Sequence, residues 1–323
     1  MEGRVASTTE VQDIAATAAA IQRSVGRVID GKDAAIRLAI TALLAEAHLL
    51  IEDVPGVGKT MLARSLARSI DARASRIQFT PDLLPSDITG VSVFNQHTTD
   101  FEFKAGGVFA HVVIADEINR ASPKTQSALL EAMEERRVTV DGTTHPLPRP
   151  FVVVATQNPI EMEGTYPLPE AQRDRFELRL DMGYPSTEAE VAMLDHHGET
   201  EPLELLTPVT DAASVNRCIQ AVRRVFVHRA VKDYLVAIVA GTRDSADIRL
   251  GASPRASLQL MRAAKARAAV DGRNYVTPDD VQALALPTLA HRVMLSHEAR
   301  MGRRSVAEVV SQVVAAVPLP QRR

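Results

Sequence analysis

The sequence predicts an α/β fold: a parallel sheet between helices, with β-hairpin insertions, followed by a small all-α domain. Two patterns in the first half of the chain indicate it. Short apolar runs alternate with segments of helical period, and a glycine-rich loop joins the first run to a helix. In the second half, the strand-like runs stop after Tyr184-Pro185. The length of 323 residues exceeds one domain of roughly 100–200 residues, so two domains are expected.

The sheet is predicted from five short segments, most of them apolar runs suited to a buried strand. They cover residues 48–51, 76–79, 112–115, 151–155 and 178–181. Two polar-tipped hairpins interrupt the alternation, at 91–103 and 138–147, and in the second one Asp141-Gly142 favours a tight I′ turn. Helices are expected at 14–21 before the sheet, and after it at 187–196, 212–222, 230–241, 255–270 and 279–297.

Composition narrows the class of protein. Hydrophobic residues are 46% of the chain and charged residues 24%, which is ordinary for a globular protein. The net charge of −3 gives no basic excess for non-specific nucleic-acid binding, and the arginine pairs 223–224 and 303–304 are expected to be solvated. The single cysteine, Cys218, excludes an intrachain disulfide. With no secretory signal and no membrane-spanning apolar run, the sequence predicts a cytoplasmic protein.

The strongest chemical signal is the run Asp53-Val54-Pro55-Gly56-Val57-Gly58-Lys59-Thr60. It lies between a predicted strand and a predicted helix, where backbone N–H groups and a helix N-terminus can hold phosphates. Lys59 would reach the β- and γ-phosphates of a nucleotide, and Thr60 would hold Mg²⁺. Asp53 replaces the first glycine of the G-x-x-x-x-G-K-[ST] pattern. The predicted nucleotide-contacting residues are Val54, Pro55, Gly56, Val57, Gly58, Lys59, Thr60 and Met61.

Polar residues end two further predicted strands. Asp116 and Glu117 follow the run 112–115, and Asn158 follows the run 151–155. Beside a phosphate-binding loop, Asp116 is expected to hold the metal or its waters, and Glu117 to orient and activate the attacking water. Because ligands bind at the carboxyl ends of the strands in such sheets, Asn158 is expected to help position that water.

Together these motifs resemble the AAA+ ATPases, and more closely the MoxR family. The resemblance extends over roughly residues 28–293 and includes runs on both sides of the predicted domain boundary. The runs that carry it are residues 52–60, 115–121, 124–135, 155–159, 168–172, 174–176, 251–255 and 275–281.

The resemblance implies a ring, usually a hexamer, in which ATP binds between subunits and is hydrolysed with Mg²⁺. It makes Asn158 sensor 1, Arg255 sensor 2 on a lid domain, and Arg175 the arginine finger that enters the next subunit, with Arg173 as the alternative finger. It divides the chain into an N-terminal helical segment at 1–27, a nucleotide-binding AAA+ core at 28–184 and a helical lid at 185–323.

The resemblance also implies a chaperone-like role. Partners would be a protein with a von Willebrand factor A-domain and client proteins that are matured, assembled or loaded with metal, with both hairpins facing the pore or a client. Two other functions stay open. A nucleic-acid motor would share this core, but the chain has no Trp and only four Tyr for base stacking. A nucleotide-gated scaffold would bind ATP with little turnover, and would need neither Glu117 nor an arginine finger.

Overall fold

The computed structural model describes residues 5–54, 56–158, 165–188, 190–191 and 202–320. Nine strands precede the lid: β1 (Leu49–Glu52), β2 (Ala74–Gln78), β3 (Val91–Asn95), β4 (Asp100–Lys104), β5 (Val112–Asp116), β6 (Arg137–Val140), β7 (Thr143–Pro146), β8 (Val152–Gln157) and β9 (Leu178–Leu180). Five of them form a parallel sheet in the order β2-β5-β8-β1-β9. These are the five strands predicted from the sequence, so the predicted sheet is confirmed.

The other four strands form two antiparallel hairpins outside the sheet, β3–β4 and β6–β7. The turn of the second hairpin contains Asp141 and Gly142, with φ of 48° and 79°. A I′ turn requires positive φ at both central residues, so the predicted turn chemistry is confirmed.

Six helices accompany the sheet: α1 (Thr8–Gly26), α2 (Asp33–Leu44), α3 (Lys59–Ser69), α4 (Pro85–Thr89), α5 (Pro123–Glu135) and α6 (Glu170–Arg173). Six more are described after residue 202: α7 (Ala212–Val222), α8 (Arg229–Asp244), α9 (Pro254–Val270), α10 (Pro278–Leu289), α11 (His297–Met301) and α12 (Val306–Ala316). None of the described helices is long and apolar enough to cross a membrane.

The three central strands of the sheet, β5, β8 and β1, are buried on both faces. Along β5, Val112 and Ile114 pack into one apolar cluster, whereas Val113 and Ala115 pack into a second one on the other face. Side chains alternate between the two faces of a strand, so a strand buried on both faces is apolar throughout. The first cluster contains residues of α1, α2, α3 and the helical domain, and the second contains residues of α5.

The helical domain differs from the prediction in several places. A short antiparallel ribbon pairs β10 (Ile248–Leu250) with β11 (Met294–Leu295), where helices alone were expected. The predicted helix 279–297 ends at Leu289, because His291 and Arg292 turn inward and bond to backbone carbonyls beside α6. The helices α11 and α12 were missed, although a capping box of Ser305 and Glu308 marks the start of α12. Most of the predicted helix 187–196 lies outside the described residues.

An ion-pair triad joins the core to the helical domain, and its Arg223 side chain is 54% exposed, so that this arginine is solvated as predicted although it is also ion-paired. Glu46 is 3% exposed and accepts hydrogen bonds from Arg136 at 2.5 Å and from Arg223 of the helical domain. Burial alone would raise the pKa of Glu46, but the two arginines outweigh it and lower that pKa. Arg224 pairs with Glu10 of α1 at 2.6 Å, and Arg304 pairs with Asp247.

Candidate active site

The glycine-rich loop leaves the carboxyl end of β1 and enters α3. Gly56 and Gly58 have φ of 85° and 87°, a region that is strained for residues with a side chain, so these two positions require glycine. Gly58 is the N-cap of α3, and no side chain makes a capping hydrogen bond there. The first backbone N–H groups of the helix can therefore bind a ligand anion. Pro55 lies outside the described residues.

Asp53 fixes the beginning of this loop. Its Oδ1 accepts a hydrogen bond from the Val54 N–H at 2.8 Å, and its Oδ2 accepts one from the Gly183 N–H at 2.5 Å. A glycine here would make neither bond, which gives a physical reason for the departure from the general loop pattern. Lys59 lies under the loop, where its Nζ donates to the Asp53 carbonyl at 2.6 Å and to the Gln157 carbonyl at 3.5 Å.

Asp116 ends β5 beside the loop and is 5% exposed. The Thr60 Oγ1 lies 3.1 Å from both of its carboxylate oxygens, and the Thr156 hydroxyl donates to its Oδ1 at 3.0 Å. Arg76 of β2 donates from Nε to its Oδ2 at 2.6 Å. The structure thus brings together the two residues that the sequence predicted as metal ligands. Thr156 and Arg76 were not predicted, because only the sheet order makes β2 and β8 neighbours of β5.

Glu117 follows β5 in a left-handed conformation, with φ of 56° and ψ of 50°. Its N–H donates to the Thr156 hydroxyl at 3.0 Å, so one threonine supports both acidic residues. Its Oε2 accepts from Gln78 at 2.9 Å and pairs with Arg120 at 3.2 Å. These neighbours hold the carboxylate at the carboxyl edge of the sheet.

Asn158 follows β8 directly and is buried. Since β8 lies between β5 and β1 in the sheet, Asn158 is at the same edge as Glu117 and the glycine-rich loop. The residues predicted for phosphate, metal and water positioning therefore share one edge of one sheet.

The two predicted arginines form a separate group around Glu134, near the C-terminus of α5. The Arg175 Nε lies 3.0 Å from the Glu134 Oε2, and the Arg255 Nη1 lies 3.0 Å from its Oε1. A residue of the core and a residue of the helical domain thus share one partly exposed carboxylate. Arg173 is half-buried, and its Nε has no hydrogen-bond partner among the described residues.

Glu134 lies at the amino edge of the sheet, opposite the glycine-rich loop. The helix α5 starts near the carboxyl end of β5, and its 13 residues span about 20 Å at about 1.5 Å per residue. Its last turn reaches His48, the residue before β1, whose Nε2 is 3.2 Å from the Met133 carbonyl oxygen. Arg175 and Arg255 are therefore remote from the phosphate-binding loop of their own chain.

Comparison with known proteins identifies the family. A sequence profile of the ATPase family associated with various cellular activities (AAA) matches residues 48–178, and a profile of the AAA lid domain matches residues 240–313. The chain is 43% identical to Chaperone MoxR1 of Mycobacterium tuberculosis, over 92% of this chain and 81% of that protein. The chain belongs to the MoxR family of AAA+ ATPases.

Two further matches extend over nearly the whole chain. The protein YeaC of Bacillus subtilis is 52% identical over 93% of both chains. A crystal structure of a candidate ATPase from Cytophaga hutchinsonii superposes with a TM-score of 0.89 at 35% identity, covering 97% of this chain and 98% of that one. The predicted AAA+ core with a mainly helical lid is thereby confirmed, and family membership implies nucleotide binding.

The edge that holds the glycine-rich loop fits a nucleotide with Mg²⁺. The loop presents backbone N–H groups and the Lys59 ammonium, which are suitable donors for phosphate oxygens. The Thr60 hydroxyl and the Asp116 carboxylate, 3.1 Å apart, are the hard oxygen ligands that Mg²⁺ prefers. Thr156 and Arg76 orient this carboxylate, which suits a ligand of defined geometry.

Proposed function

We propose that this MoxR-family chain is a Mg²⁺-dependent ATPase. It assembles into a ring of six subunits and uses the free energy of ATP hydrolysis to remodel partner proteins. The observation that carries the proposal is the division of the site residues between two opposite edges of the sheet. The loop, Asp116 and Glu117 occupy the carboxyl edge, whereas Arg175 and Arg255 meet at Glu134 on the amino edge.

Each residue at the carboxyl edge has a role that its position supports. Lys59 and the loop N–H groups bind the β- and γ-phosphates. Thr60 and Asp116 would hold Mg²⁺, which would supply positive charge to offset the negative charge that develops on the phosphates. Glu117 takes the proton of the attacking water, and Asn158 helps to position that water.

The arginines at the amino edge complete a site in another subunit. A guanidinium is always charged and donates two parallel hydrogen bonds, which suits contact with a γ-phosphate. Because the length of α5 separates Arg175 from the loop of its own chain, we assign it as the finger for the neighbouring subunit. Arg255 lies beside it on Glu134, and it joins Arg175 in serving the neighbour's site.

Client remodelling is supported by the relative named as a chaperone and by the exposed aromatic tip of the β3–β4 hairpin. There Phe94 and Phe101 are 50% and 68% exposed, with ring centroids 5.4 Å apart. The proposal also includes a partner protein with a von Willebrand factor A-domain, which the resemblance of the sequence motifs implies, and a cytoplasmic location.

The proposal is tested first by the ATPase rate per subunit across a range of protein concentrations with Mg²⁺, measured together with the mass of the assembled species. An arginine finger is worth about 10³–10⁵ in rate, so the rate per subunit should rise steeply as the ring forms. An ATPase rate per subunit that does not change as the ring assembles contradicts the assignment of Arg175 as a finger for the neighbouring subunit. Tight ATP binding with no turnover in the ring indicates a scaffold instead.

Mixed rings test the finger directly. Rings of Arg175→Ala should be nearly inactive, since no subunit then supplies a finger. Adding an excess of Glu117→Gln subunits, which are inactive but carry intact fingers, should restore the rate per Arg175→Ala subunit. The reference is wild-type subunits mixed with the same excess of Glu117→Gln. Arg229→Ala, which removes an exposed ion pair with Asp233 on α8, is the control and should keep the wild-type rate.

A further inference from the structure

The segment Asp174–Glu177 carries Arg175 between α6 and β9. The helix α6 is only four residues long, and the segment begins directly at its C-cap, Asp174. The backbone is anchored on the sheet side, where Phe176 is fully buried and the Glu177 N–H donates to the His48 carbonyl at 3.0 Å. The opposite side of the segment faces the lid.

One buried lid residue, Arg292, holds most of this segment. Its side chain is 2% exposed, and its Nε donates to the Asp174 Oδ1 at 2.7 Å. Its Nη2 donates to the carbonyls of Asp174 at 3.2 Å and Phe176 at 2.5 Å, and its Nη1 donates to the carbonyl of Glu177 at 3.2 Å. Three of the four carbonyls in the segment therefore accept from one guanidinium.

Three further lid residues contact the same segment. Gln259 of α9 accepts from Arg292 at 2.7 Å and donates to the Asp174 carbonyl at 3.2 Å. The Ser253 hydroxyl donates to the Asp174 Oδ2 at 3.2 Å, and the His291 Nε2 donates to the Phe176 carbonyl at 2.8 Å. Ser253 lies two residues before Arg255, so this contact also connects the two arginines that share Glu134.

We propose that Arg292 is a positioning residue that fixes the backbone around Arg175 to the lid of its own subunit. The position of the lid then determines how far the Arg175 side chain extends into the active site of the neighbouring subunit. This inference rests on the proposed function, in which Arg175 acts between subunits. Arg292 itself contacts neither nucleotide nor water in this role. It acts through the backbone on both sides of Arg175.

The chemistry of the guanidinium explains why an arginine is needed. Its five N–H donors lie in one plane, and here they reach carbonyls, a carboxylate and an amide that point in different directions. A lysine carries its three donors on a single nitrogen, so it cannot bond to all of these carbonyl, carboxylate and amide oxygens at once. The Asp174 carboxylate also compensates the buried positive charge, since an unpaired charge at 2% exposure would be costly.

The first test is the steady-state kinetics of Arg292→Lys rings. A displacement of about 1 Å in a reacting group can cost about 100-fold in rate, so we expect kcat to fall about 10- to 100-fold. The KM for ATP should change less than about threefold, because the nucleotide-binding loop lies at the other edge of the sheet. A wild-type kcat in assembled Arg292→Lys rings overturns the inference.

A second variant and a matched control separate positioning from stability. Asp174→Asn keeps the size of the side chain but removes its charge, and it should lower kcat about 3- to 10-fold, since charge-assisted hydrogen bonds are about twice as strong as neutral ones. If Arg292→Lys does not fold, this variant decides the question alone. The control is Arg273→Lys, which weakens a bidentate pair with buried Asp280 inside the lid and touches no residue of the segment. It should keep the wild-type kcat.

Mixed rings then show where Arg292 acts. With an excess of Glu117→Gln subunits, an Arg292→Lys subunit receives an intact finger from its neighbour, so its rate should reach that of wild-type subunits in the same mixture. If Arg175→Ala is restored in such rings but Arg292→Lys is not, the finger assignment stands and the positioning role of Arg292 is wrong. If neither is restored, the proposed finger itself is wrong.

Discussion

Glu117 depends on a backbone conformation that is unusual for a residue with a side chain. Its φ of 56° places the residue in the left-handed region, and the Thr156 hydroxyl accepts its N–H at 3.0 Å. In this conformation the Glu117 carboxylate points away from the direction of β5 and contacts Gln78 and Arg120. Such strained positions often occur at functional sites, which agrees with the role of general base proposed for Glu117.

Glu117→Gln should therefore abolish turnover while it preserves ATP binding. A positioned general base contributes about 10²–10⁴ in rate, and the amide keeps the shape of the side chain but cannot take a proton. We expect kcat to fall at least about 100-fold with little change in the Kd for ATP, measured by steady-state kinetics and nucleotide titration. Glu131→Gln, on the exposed surface of α5, is the matched control. Equal kcat values for Glu117→Gln and Glu131→Gln would show that Glu117 is not the general base.

Two buried histidines are held in the neutral state. The His48 Nδ1 accepts from the Val153 N–H at 3.0 Å, so that nitrogen cannot carry a proton without losing the bond. Burial lowers the pKa of His48, and burial together with Arg292 lowers the pKa of His291 well below its usual value. In the unfolded chain both would titrate near about 6.5.

The free energy of unfolding should consequently fall as the pH drops below about 6.5. In that range the unfolded chain binds protons that the folded chain excludes, and each histidine contributes a slope of at most about 1.4 kcal/mol per pH unit. Glu46 and Asp280, whose pKa values are lowered by their arginine partners, add a further loss only below about pH 4.5. Denaturant unfolding between pH 7.5 and 5.5 measures the slope. It should be smaller in His48→Gln and in His291→Gln, and an unchanged slope in both would contradict this account.

At the scale of elements, the two hairpins are joined to each other rather than independent. The Phe103 ring of β4 stacks on the His145 ring of β7, with centroids 3.9 Å apart and planes at 11°. Phe109 contacts both rings edge-on, at 5.4 Å from Phe103 and 6.4 Å from His145. Movement of one hairpin must therefore either carry the other along or break this stack.

A double-mutant cycle measures the joint between the hairpins. Phe103→Leu, His145→Ala and the double variant should give a coupling of about 0.5–1.5 kcal/mol in the free energy of unfolding, as expected for a ring pair. Phe94→Leu combined with His145→Ala is the control, because Phe94 pairs with Phe101 within its own hairpin. Additive effects in the Phe103 cycle would show that the stack contributes nothing.

At the scale of the whole molecule, the core and the lid are joined by buried charge as well as by apolar packing. Glu46 has a positive φ of 52° and lies between Arg136 of the core and Arg223 of the lid. Glu46 is the buried member, whereas the Arg136 and Arg223 side chains are 25% and 54% exposed, so its removal leaves two partly solvated charges and costs about 1–3 kcal/mol in lost charged hydrogen bonds. The triad therefore contributes to holding the lid against the core.

Glu46→Gln should lower the thermal midpoint of unfolding, with a loss of about 1–3 kcal/mol in stability, because it removes charged hydrogen bonds to Arg136 and Arg223. Asp233→Asn, which breaks an exposed pair on α8, should cost at most about 0.5 kcal/mol and serves as the control. Differential scanning calorimetry measures both variants. A shift for Glu46→Gln as small as that for Asp233→Asn would show that the triad has no net effect on stability.

The sequence determined the features that depend on residues near one another in the chain. Apolar runs specify buried strands, and this predicted the three central strands of the sheet, whereas the edge strands β2 and β9 were predicted from apolar residues that alternate with polar ones. The glycines of the loop and the Asp-Gly turn follow from the φ values that those turns require. Asp116, Glu117 and Asn158 were predicted because each lies where a strand ends, and the carboxyl ends of the strands define the binding edge.

Only the tertiary structure decided what depends on residues far apart in the chain. The order β2-β5-β8-β1-β9 brings Arg76 and Thr156 to Asp116, although 40 positions separate each of them from it. The early end of α10 follows from the bonds of Arg292 to the Asp174–Glu177 segment, and the sharing of Glu134 by Arg175 and Arg255 follows from the docking of the lid on the core. Periodicity and spacing report which face of an element is buried. They do not report which distant carbonyl or carboxylate that face will meet, because that is set by packing between elements.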